Sequence, residues 1–277
     1  MTNRYNWRTL LLELIAILAM LLFMVPFYFL GSNSLKTFGE ILLDAATLPK
    51  SLNFSNYERA WDIMKFPQAF WNSLLITVTS VAGLVVISAM AAYKMVRRPN
   101  KLNNTLFLMF VAAMVIPFQS IMIPLMKVAG WFGLTNSMWG LWLCYMGFGS
   151  SLTIFLFHGF VKSIPVEIEE SAVVDGCSPY GVFWRIVFPL LKPMTATVLL
   201  LNSLWIWNDF LLPNLIIGGE RTLRTIPLST YSFFGQYTKQ WDLALAALVM
   251  GIIPIIIFFL SLQKYIIEGI TAGSVKG

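Results

Sequence analysis

Charged residues are scarce in this sequence. Asp, Glu, Lys and Arg make up 12% of its 277 residues, whereas hydrophobic residues make up 58%. A typical soluble domain carries about 25% charged residues, so the chain has about half of the charge that a water-exposed surface needs. The shortage excludes an ordinary soluble domain and indicates that much of the surface faces lipid.

Cysteine and histidine are scarce too. Cys144 falls in an apolar segment and Cys177 in a polar loop. The two therefore lie in different compartments, and a disulfide between them is implausible. Together with the single histidine they fall short of the ligand set of a structural zinc site. We predict no metal site and interpret both cysteines as small packing residues.

The signature motifs of several enzyme classes are missing as well. The chain contains no G-x-x-x-x-G-K-[ST] phosphate loop, no H-E-x-x-H and no G-x-S-x-G. We therefore expect no catalytic residues in this chain, no cofactor bound by it and no ATP hydrolysis by it.

Long apolar runs, by contrast, recur along the chain. Several are long enough to cross a bilayer as a helix, which takes about 20 residues. Inside hydrocarbon every backbone donor must be satisfied within its own segment, so these runs must be helical. The predicted spans are residues 10–30, 73–93, 106–126, 138–161, 194–213 and 243–262. The sequence thus predicts an all-α polytopic membrane protein with six transmembrane helices and a single domain over residues 1–277.

Basic residues indicate the orientation of these spans. Lys94, Arg97, Arg98 and Lys101 crowd the link between spans two and three, and such clusters favour the cytoplasmic side. Both termini and the loop at residues 162–193 would then be cytoplasmic. The net charge of +6 fits this topology and contact with anionic lipid, so we expect no nucleic-acid partner.

The loop between spans four and five carries helix start and stop signals. Pro165 suits a first helical position, and Gly176 suits a left-handed C-terminal cap. Between them, Glu167, Glu169 and Glu170 favour the positive N-terminal end of a helix. Together these signals predict a helix of about eleven residues.

A second helix is predicted directly after the first. Ser178 is a suitable N-cap and Pro179 suits the first turn, while Pro189 should stop the helix and Pro193 should open span five. The apolar residues follow the pattern of one helical face: Tyr180, Phe183, Trp184, Val187 and Phe188. Such a helix could rest on lipid or dock in a groove on a soluble protein. The closely spaced acids of the loop favour docking.

The same loop resembles a known motif. In the EAA loop of ABC importer permeases, Glu-Ala-Ala is followed after three intervening residues by Gly, and after nine more residues by Ile-x-Leu-Pro. Here Glu170, Ser171 and Ala172 stand for the triplet, Gly176 for the glycine and Ile186–Pro189 for the end, with a Ser and a Phe as mild departures.

Other stretches narrow this resemblance to the carbohydrate importers of the maltose-permease type. They are the Asp175-Gly176 pair, the FWRI run, NFSNYERAW before span two, FWNSLLIT at its start, and the ending EGITAGSVKG. The likeness covers nearly the whole chain and is to the second, shorter permease of such pairs.

The resemblance implies a role for the loop. Its first helix would be a coupling helix seated in a cleft of a cytoplasmic ATPase. Glu170 and Gly176 would shape and cap that helix, and the aromatic residues after it would pack behind it. The ATPase-coupling residues implied by the motif are Glu170, Ser171, Ala172, Asp175, Gly176, Tyr180, Phe183 and Trp184.

The resemblance also implies partners. The chain would assemble with a second permease, two ATPase subunits that hold ATP and Mg, and an extracytoplasmic sugar-binding protein, in the cell membrane of a bacterium or archaeon. Closure of the ATPases would drive alternating access for a sugar, with an oligosaccharide as the expected substrate and glycerol phosphate as the alternative. A self-contained secondary transporter is a different class, but such proteins show repeated halves, and the first and last three spans show no repeat.

Polar residues in span five form a candidate translocation path. Asn202, Trp205 and Asp209 fall on one helical face, and Asn208 adjoins them in sequence. Aromatic rings beside amide and carboxylate groups suit the apolar faces and hydroxyls of a sugar. The same residues would equally suit hydrogen bonds between helices, and the sequence leaves both interpretations open.

The loop between spans five and six is polar yet rich in aromatic residues. Such a segment either lies at the membrane interface or meets a protein partner. We expect residues 218–241 to face the sugar-binding protein, with Thr222 and Ser229 accessible from outside.

Overall fold

The computed structural model describes residues 6–235 and 239–274, and for residues 262–274 it describes the backbone helix alone. Every regular element in these residues is helical, apart from an isolated bridge between Phe234 and Lys239. The predicted all-α fold is therefore confirmed. The two chain ends, which are predicted to be cytoplasmic, lie outside the described residues.

The α-helices of the described residues are numbered in chain order. The first seven are α1 Trp7–Ser34, α2 Phe38–Leu43, α3 Ser55–Ile63, α4 Phe66–Arg97, α5 Lys101–Ala113, α6 Phe118–Trp131 and α7 Met138–Lys162. The others are α8 Val166–Val174, α9 Pro179–Val182, α10 Phe188–Leu190, α11 Lys192–Asn208, α12 Leu211–Ile217, α13 Ile226–Thr230 and α14 Trp241–Ser274. A π-helical turn, Phe183–Val187, joins α9 to α10, and short 3-10 turns cover Arg221–Leu223 and Tyr231–Phe233.

Four of these helices are long and apolar enough to cross a membrane on their own. They are α1, α4, α7 and the Trp241–Ser261 part of α14. Two further helix pairs meet the same criterion only when taken together, and each is bent at a short break. The bend is 109° between α5 and α6, and 73° between Pro179–Leu190 and α11. The described residues thus provide four spans, or six if each bent pair is one span.

The third predicted span, residues 106–126, is not one continuous helix. α5 ends at Ala113 and α6 begins at Phe118. Pro117 lies in the break, where it lacks an N–H group and its ring disfavours a helical conformation for Ile116. The prediction of a single helix here is wrong, because the apolar run continues through a proline that hydropathy does not register.

The fifth predicted span, residues 194–213, also ends differently. α11 stops at Asn208, and Asp209 adopts an extended conformation with ψ of 128°. The Asp209 carboxylate then accepts a hydrogen bond from the Leu211 N–H at 2.9 Å, at the start of α12. The predicted end of this span is wrong because an aspartate inside the apolar run makes a turn. The other four predicted spans lie within α1, α4, α7 and α14.

The described residues form two compact units. One unit combines the chain up to Phe66 with Ser229–Ile253, and the other combines Pro67–Leu228 with the residues from Pro254 onward.

In the first unit, side chains in the last turns of α1 and directly after it hold the segment that follows α2. Four successive backbone carbonyls in this segment each accept a hydrogen bond from one of these side chains. The carbonyls lie outside any helix, so the side chains supply the partners that a helix would otherwise provide. The pairs are Lys36 with Asp44 at 3.0 Å, Asn33 with Ala45 at 3.0 Å, Tyr28 with Ala46 at 2.8 Å and Ser32 with Thr47 at 3.2 Å. These bonds fix the segment against the end of α1.

In the second unit, the core surrounds α4 and α7. The buried face of α4 is rich in small residues, among them Ser80, Ser88, Ala89 and Ala92. Small side chains let helix backbones approach closely, which is how helices associate in lipid without a hydrophobic driving force. α7 packs against α5, α11 and α12, so it connects the candidate path in α11 to the rest of this unit.

One close approach in this unit gives a testable prediction. A Cβ atom at Gly140, in the first turn of α7, would collide with the backbone carbonyl of Leu134, whereas Gly147 in the same helix has open space around it. We expect Gly140→Ala to lower the midpoint of thermal unfolding in detergent, at a cost of about 1–3 kcal/mol for overpacking. The control Gly147→Ala should leave that midpoint unchanged or raise it, since Ala favours a helix by about 0.5–1 kcal/mol over Gly. Equal midpoints for the two variants would contradict the packing described here.

Candidate functional site

The first loop helix, α8, ends in a left-handed glycine cap. Gly176 has φ of +84°. The Cys177 N–H donates to the Ala172 carbonyl at 2.9 Å, and the Gly176 N–H donates to the Val173 carbonyl at 3.0 Å. These two bonds make a Schellman motif, which satisfies the last carbonyls of a helix. The predicted conformation of Gly176 is confirmed.

The start of α8 differs slightly from the prediction. Pro165 is the N-cap and not the first helical residue, and the helix has 9 residues instead of about eleven. Glu167 and Glu169 lie in its first turn, where acidic side chains interact favourably with the helix dipole. The acidic character of the N-terminal end is therefore as predicted.

The second loop helix begins as predicted but ends later. The Ser178 hydroxyl accepts a hydrogen bond from the Gly181 N–H at 3.2 Å, and Pro179 occupies the first turn. The prediction that Pro189 stops the helix is wrong, because the chain stays helical to Leu190. The intervening π-helical turn explains this, since Pro189 then falls at the start of a new α-helical segment, where its missing N–H is not needed.

The aromatic residues of the second helix divide between the interior and the surface. Phe183 is 3% exposed, and its ring lies 5.0 Å from that of Trp184 and 5.9 Å from that of Phe188. Tyr180, in contrast, is 72% exposed. Phe183 thus lies in the core, whereas Tyr180 presents its ring to the outside.

The structure reveals a buried ion pair that holds α8 to the end of α4. The Glu169 carboxylate accepts hydrogen bonds from Arg97 at 2.7 Å and from the Tyr93 hydroxyl at 2.8 Å. The Arg97 guanidinium also donates to the Ile164 carbonyl at 2.8 Å. The exposed fractions of the Arg97 and Glu169 side chains are 15% and 9%. A buried charge requires such partners, because removing either one leaves the other unpaired.

Sequence reasoning missed this anchor. Glu169 counts in the sequence only as one of three acids near a helix start, and Arg97 as one of several basic residues that set the topology. Long-range pairing leaves no periodic signal, since the two residues are 72 positions apart. The hint available was the spacing, since Glu167 and Glu169 are two positions apart and therefore point to different sides of a helix.

The outward surface of α8 combines acidic and apolar side chains. Glu170 and Asp175 are exposed, and Val174 beside them is 86% exposed. Ser171 is exposed as well, whereas Ala172 is buried. Exposed apolar side chains flanked by charges mark a surface that suits a protein partner.

Two of the predicted path residues make hydrogen bonds between helices. The Asn202 amide donates to the Thr153 hydroxyl of α7 at 3.1 Å and to the Val198 carbonyl at 3.0 Å. The Asp209 carboxylate accepts a hydrogen bond from the Tyr145 hydroxyl at 3.0 Å. These contacts tie α11 and its C-terminal turn to α7.

The other two path residues are more open. Trp205 is 40% exposed, and its ring meets that of Tyr145 edge to face at 5.4 Å. Asn208 is exposed, and its amide donates to the nearby Leu204 carbonyl at 2.8 Å. The four predicted path residues are thus divided into a pair that joins helices and an exposed pair.

The loop after α12 is fixed to the start of α4. The Asn72 amide donates to the carbonyls of Thr222 at 2.9 Å and Arg224 at 3.1 Å. The Ile226 N–H donates to the Ser73 hydroxyl at 2.9 Å. Hydrogen bonds therefore fix residues 222–226 to the start of α4, and we call this segment, with the preceding residues 218–221, the strap.

The tip of this strap is exposed. Hydrogen bonds from the backbone N–H and the hydroxyl of Thr222 lower the pKa of Glu220. Thr222 is exposed as expected, but Ser229 is buried, so the expectation that Ser229 is accessible is wrong. Residues 236–238 of the same loop lie outside the described residues.

These features define a class of protein: a polytopic helical membrane protein with an exposed, rigidly capped helix between two of its apolar segments. Residues 83–271 match the family described as the binding-protein-dependent transport system inner membrane component. The chain belongs to this family, and it is a permease of the ABC importer class.

Curated relatives cover almost the whole chain. A probable starch degradation products transport system permease protein, AmyC, from Thermoanaerobacterium thermosulfurigenes is 44% identical over 96% of each chain. The multiple sugar-binding transport system permease protein MsmG from Streptococcus mutans is 36% identical over 98% of this chain and 97% of its own. The melibiose/raffinose/stachyose import permease protein MelC from Bacillus subtilis is 34% identical over 91% of both.

Solved structures share the fold. A chain of a bacterial ABC transporter that imports the acidic polysaccharide alginate superposes with a TM-score of 0.77 at 21% identity, over 95% of this chain and 99% of that one. A chain of an alginate transporter in complex with a pentasaccharide-bound periplasmic protein gives 0.64 at 15% identity, over 93% and 94%. At these identities the likeness establishes the fold alone.

The contact between Tyr145 and Asp209 gives a second testable prediction. Tyr145 is fully buried, so Tyr145→Phe keeps the ring but leaves the carboxylate without its hydroxyl donor. We expect a loss of about 1–3 kcal/mol in stability, measured as a lower midpoint of thermal unfolding of the purified permease in detergent. Tyr180→Phe is the control, because that hydroxyl lies on an exposed side chain and its loss should leave the midpoint in place. A Tyr145→Phe variant as stable as the control would contradict the contact.

Proposed function

We propose that this chain is one permease subunit of an ATP-driven, binding-protein-dependent importer of a sugar, with an oligosaccharide as the substrate. The observation that carries the proposal is the outward surface of α8, where Glu170, Val174 and Asp175 are exposed on a helix whose other side is anchored by Glu169. A rigid, partly apolar surface of this kind suits docking on a soluble protein. The names of the relatives, which concern starch products, multiple sugars and raffinose-type oligosaccharides, support the substrate class.

The proposed docking partner is an ATPase. The chain has no phosphate loop, so ATP and Mg are held by two separate ATPase subunits. The 162–193 loop and both termini then lie on the cytoplasmic side. A second permease subunit completes the pathway.

In the proposed mechanism, movement of the ATPase subunits is transmitted to the membrane spans through α8. ATP binding closes the two ATPase subunits and displaces α8, which is seated in one of them, together with the corresponding helix of the second permease, which is seated in the other. The displaced helices move the spans from an inward-open to an outward-open arrangement, while the binding protein delivers the sugar. In this scheme Glu170 contacts the ATPase, and Gly176 fixes the end of the helix that enters it.

Within the pathway, the exposed residues of α11 are the proposed sugar contacts. Trp205 offers an aromatic face and Asn208 an amide, and both remain accessible. Asn202 and Asp209 hold α11 against α7 through Thr153 and Tyr145 and so position the exposed pair.

The extracytoplasmic contact is proposed to be the strap around Thr222. The strap is exposed at its tip and held by Asn72 behind it. A held loop with an exposed tip suits a surface that must meet the sugar-binding protein in one orientation, because little order is lost on binding.

The docking proposal is tested at the glycine cap. A β-branched residue at Gly176 would meet a steric penalty of about 1–2 kcal/mol in the left-handed conformation, and Glu170→Lys reverses the charge on the docking surface. We expect Gly176→Val and Glu170→Lys to reach the membrane and pair with the second permease, yet to retain less ATPase on purification and to lose sugar uptake.

Two matched variants serve as controls for this experiment. Gly176→Asn should keep both ATPase retention and sugar uptake, because asparagine tolerates the left-handed conformation. Glu58→Lys reverses a charge on α3, away from the loop in the sequence, and should also have no effect. Normal uptake by both Gly176→Val and Glu170→Lys would refute the docking role of α8.

A further inference from the structure

The interior side of α8 contacts a helix that is distant in the sequence. α8 lies in the chain between α7 and α11, yet its buried acid, Glu169, pairs with Arg97 and Tyr93 at the end of α4. The loop is therefore attached to three helices of the second unit: to two through the backbone, and to α4 through side chains.

Arg97 holds two points of the loop at once. Its Nε and Nη2 atoms both lie 2.7 Å from Oε1 of Glu169, and Nη2 also donates to the Ile164 carbonyl at 2.8 Å. The guanidinium thus fixes both the first turn of α8 and the turn that precedes it. A lysine ammonium lacks this planar set of donors and would not reproduce both contacts with the same geometry.

Tyr93 connects α4 to both loop helices. Its hydroxyl donates to Oε2 of Glu169 in α8 at 2.8 Å, and its ring lies 5.3 Å from the ring of Phe183, which begins the π-helical turn. Both carboxylate oxygens of Glu169 are therefore occupied, one by Arg97 and one by Tyr93. A buried carboxylate with both oxygens paired has few alternative positions.

We propose that Arg97, Tyr93 and Glu169 form a clamp that transmits the displacement of α8 directly to α4. This inference rests on the proposed function, since the displacement comes from the docked ATPase. The three residues touch neither ATP nor sugar and act as positioning residues. The clamp moves α4 together with α8, whereas the backbone connections alone would allow the loop to swing on the turns that flank it.

The test uses the complete importer, with its companion permease, ATPases and binding protein, in proteoliposomes. The variants are Glu169→Gln, Arg97→Lys and Tyr93→Phe, where the last removes a single hydroxyl and keeps the ring that packs on Phe183. The controls are Arg98→Lys and Glu167→Gln, which change exposed residues near the same two helix ends. The measurements are retention of the ATPase on purification, ATP hydrolysis and sugar uptake.

We expect the three clamp variants to retain the ATPase, because the docking surface of α8 lies on its other side. Uptake per ATP hydrolysed should fall by roughly tenfold in Glu169→Gln, as expected for the loss of coupling between two sites, and by less in Tyr93→Phe. The controls should match the wild type. Unchanged uptake per ATP in all three clamp variants, or an equal loss in the controls, would overturn the clamp.

A distance measurement separates transmission from simple support of the loop. Spin labels at Lys94 on α4 and Val173 on α8, both exposed and neither among the proposed docking residues, report whether the two helices move together. The distance should stay constant on ATP binding in the wild type and change in Glu169→Gln. A distance that changes in the wild type would overturn the clamp.

The retention assay keeps this inference apart from the docking proposal. Loss of ATPase retention in the clamp variants would show that the clamp only supports the folded loop, and would overturn its role in transmission. Normal retention and uptake in Glu170→Lys and Gly176→Val would instead refute the proposed function itself.

Discussion

The absence of water inside a bilayer is the constraint on which the rest of this structure depends. Each backbone N–H and C=O in hydrocarbon must find its partner within the protein, so the spans are helical and any break needs a local replacement. Two interruptions of the helical spans show how the backbone requirement is met. Pro117 interrupts an apolar run where it has no N–H to satisfy, and Asp209 interrupts another while its carboxylate accepts from the Leu211 N–H.

The same constraint explains where the polar side chains lie. Asn202 and Asp209 are paired with Thr153 and Tyr145 on the neighbouring helix, because an unpaired polar group is costly in a low-dielectric interior. Of the two interpretations left open by the sequence, hydrogen bonding between helices holds for Asn202 and Asp209, whereas Trp205 and Asn208 stay accessible and keep the path as our proposal. The buried charge of Glu169 follows the same rule at the end of α4.

Local sequence signals made part of the fold and of the loop between α7 and α11 predictable. The left-handed conformation of Gly176 and the caps at Ser178 and Pro179 follow from short-range chemistry, and the helical class follows from composition. Four of the six spans were placed correctly because their apolar runs contain no break. The motif resemblance also singled out Glu170, which is one of the exposed acids of the loop.

The rest could not be predicted because it depends on tertiary contacts or on small departures from regular helix. The π-helical turn at Phe183–Val187 carries the chain past Pro189, which a regular pattern treats as a stop. The pairing of Glu169 with Arg97 joins two residues that each had an adequate local explanation. In the first case a local departure from the α-helix decided the outcome, and in the second a contact between distant residues did.

We propose that ATP on the side of α8, together with a loaded binding protein on the other side of the membrane, drives import through this chain. The most direct measurement is sugar uptake by proteoliposomes that contain the complete importer in one orientation, with ATP and binding protein supplied on chosen sides. Uptake should require ATP on the side that bears α8 and the binding protein on the other, and should stop when either is moved. Uptake driven by an ion gradient without ATP would contradict the account.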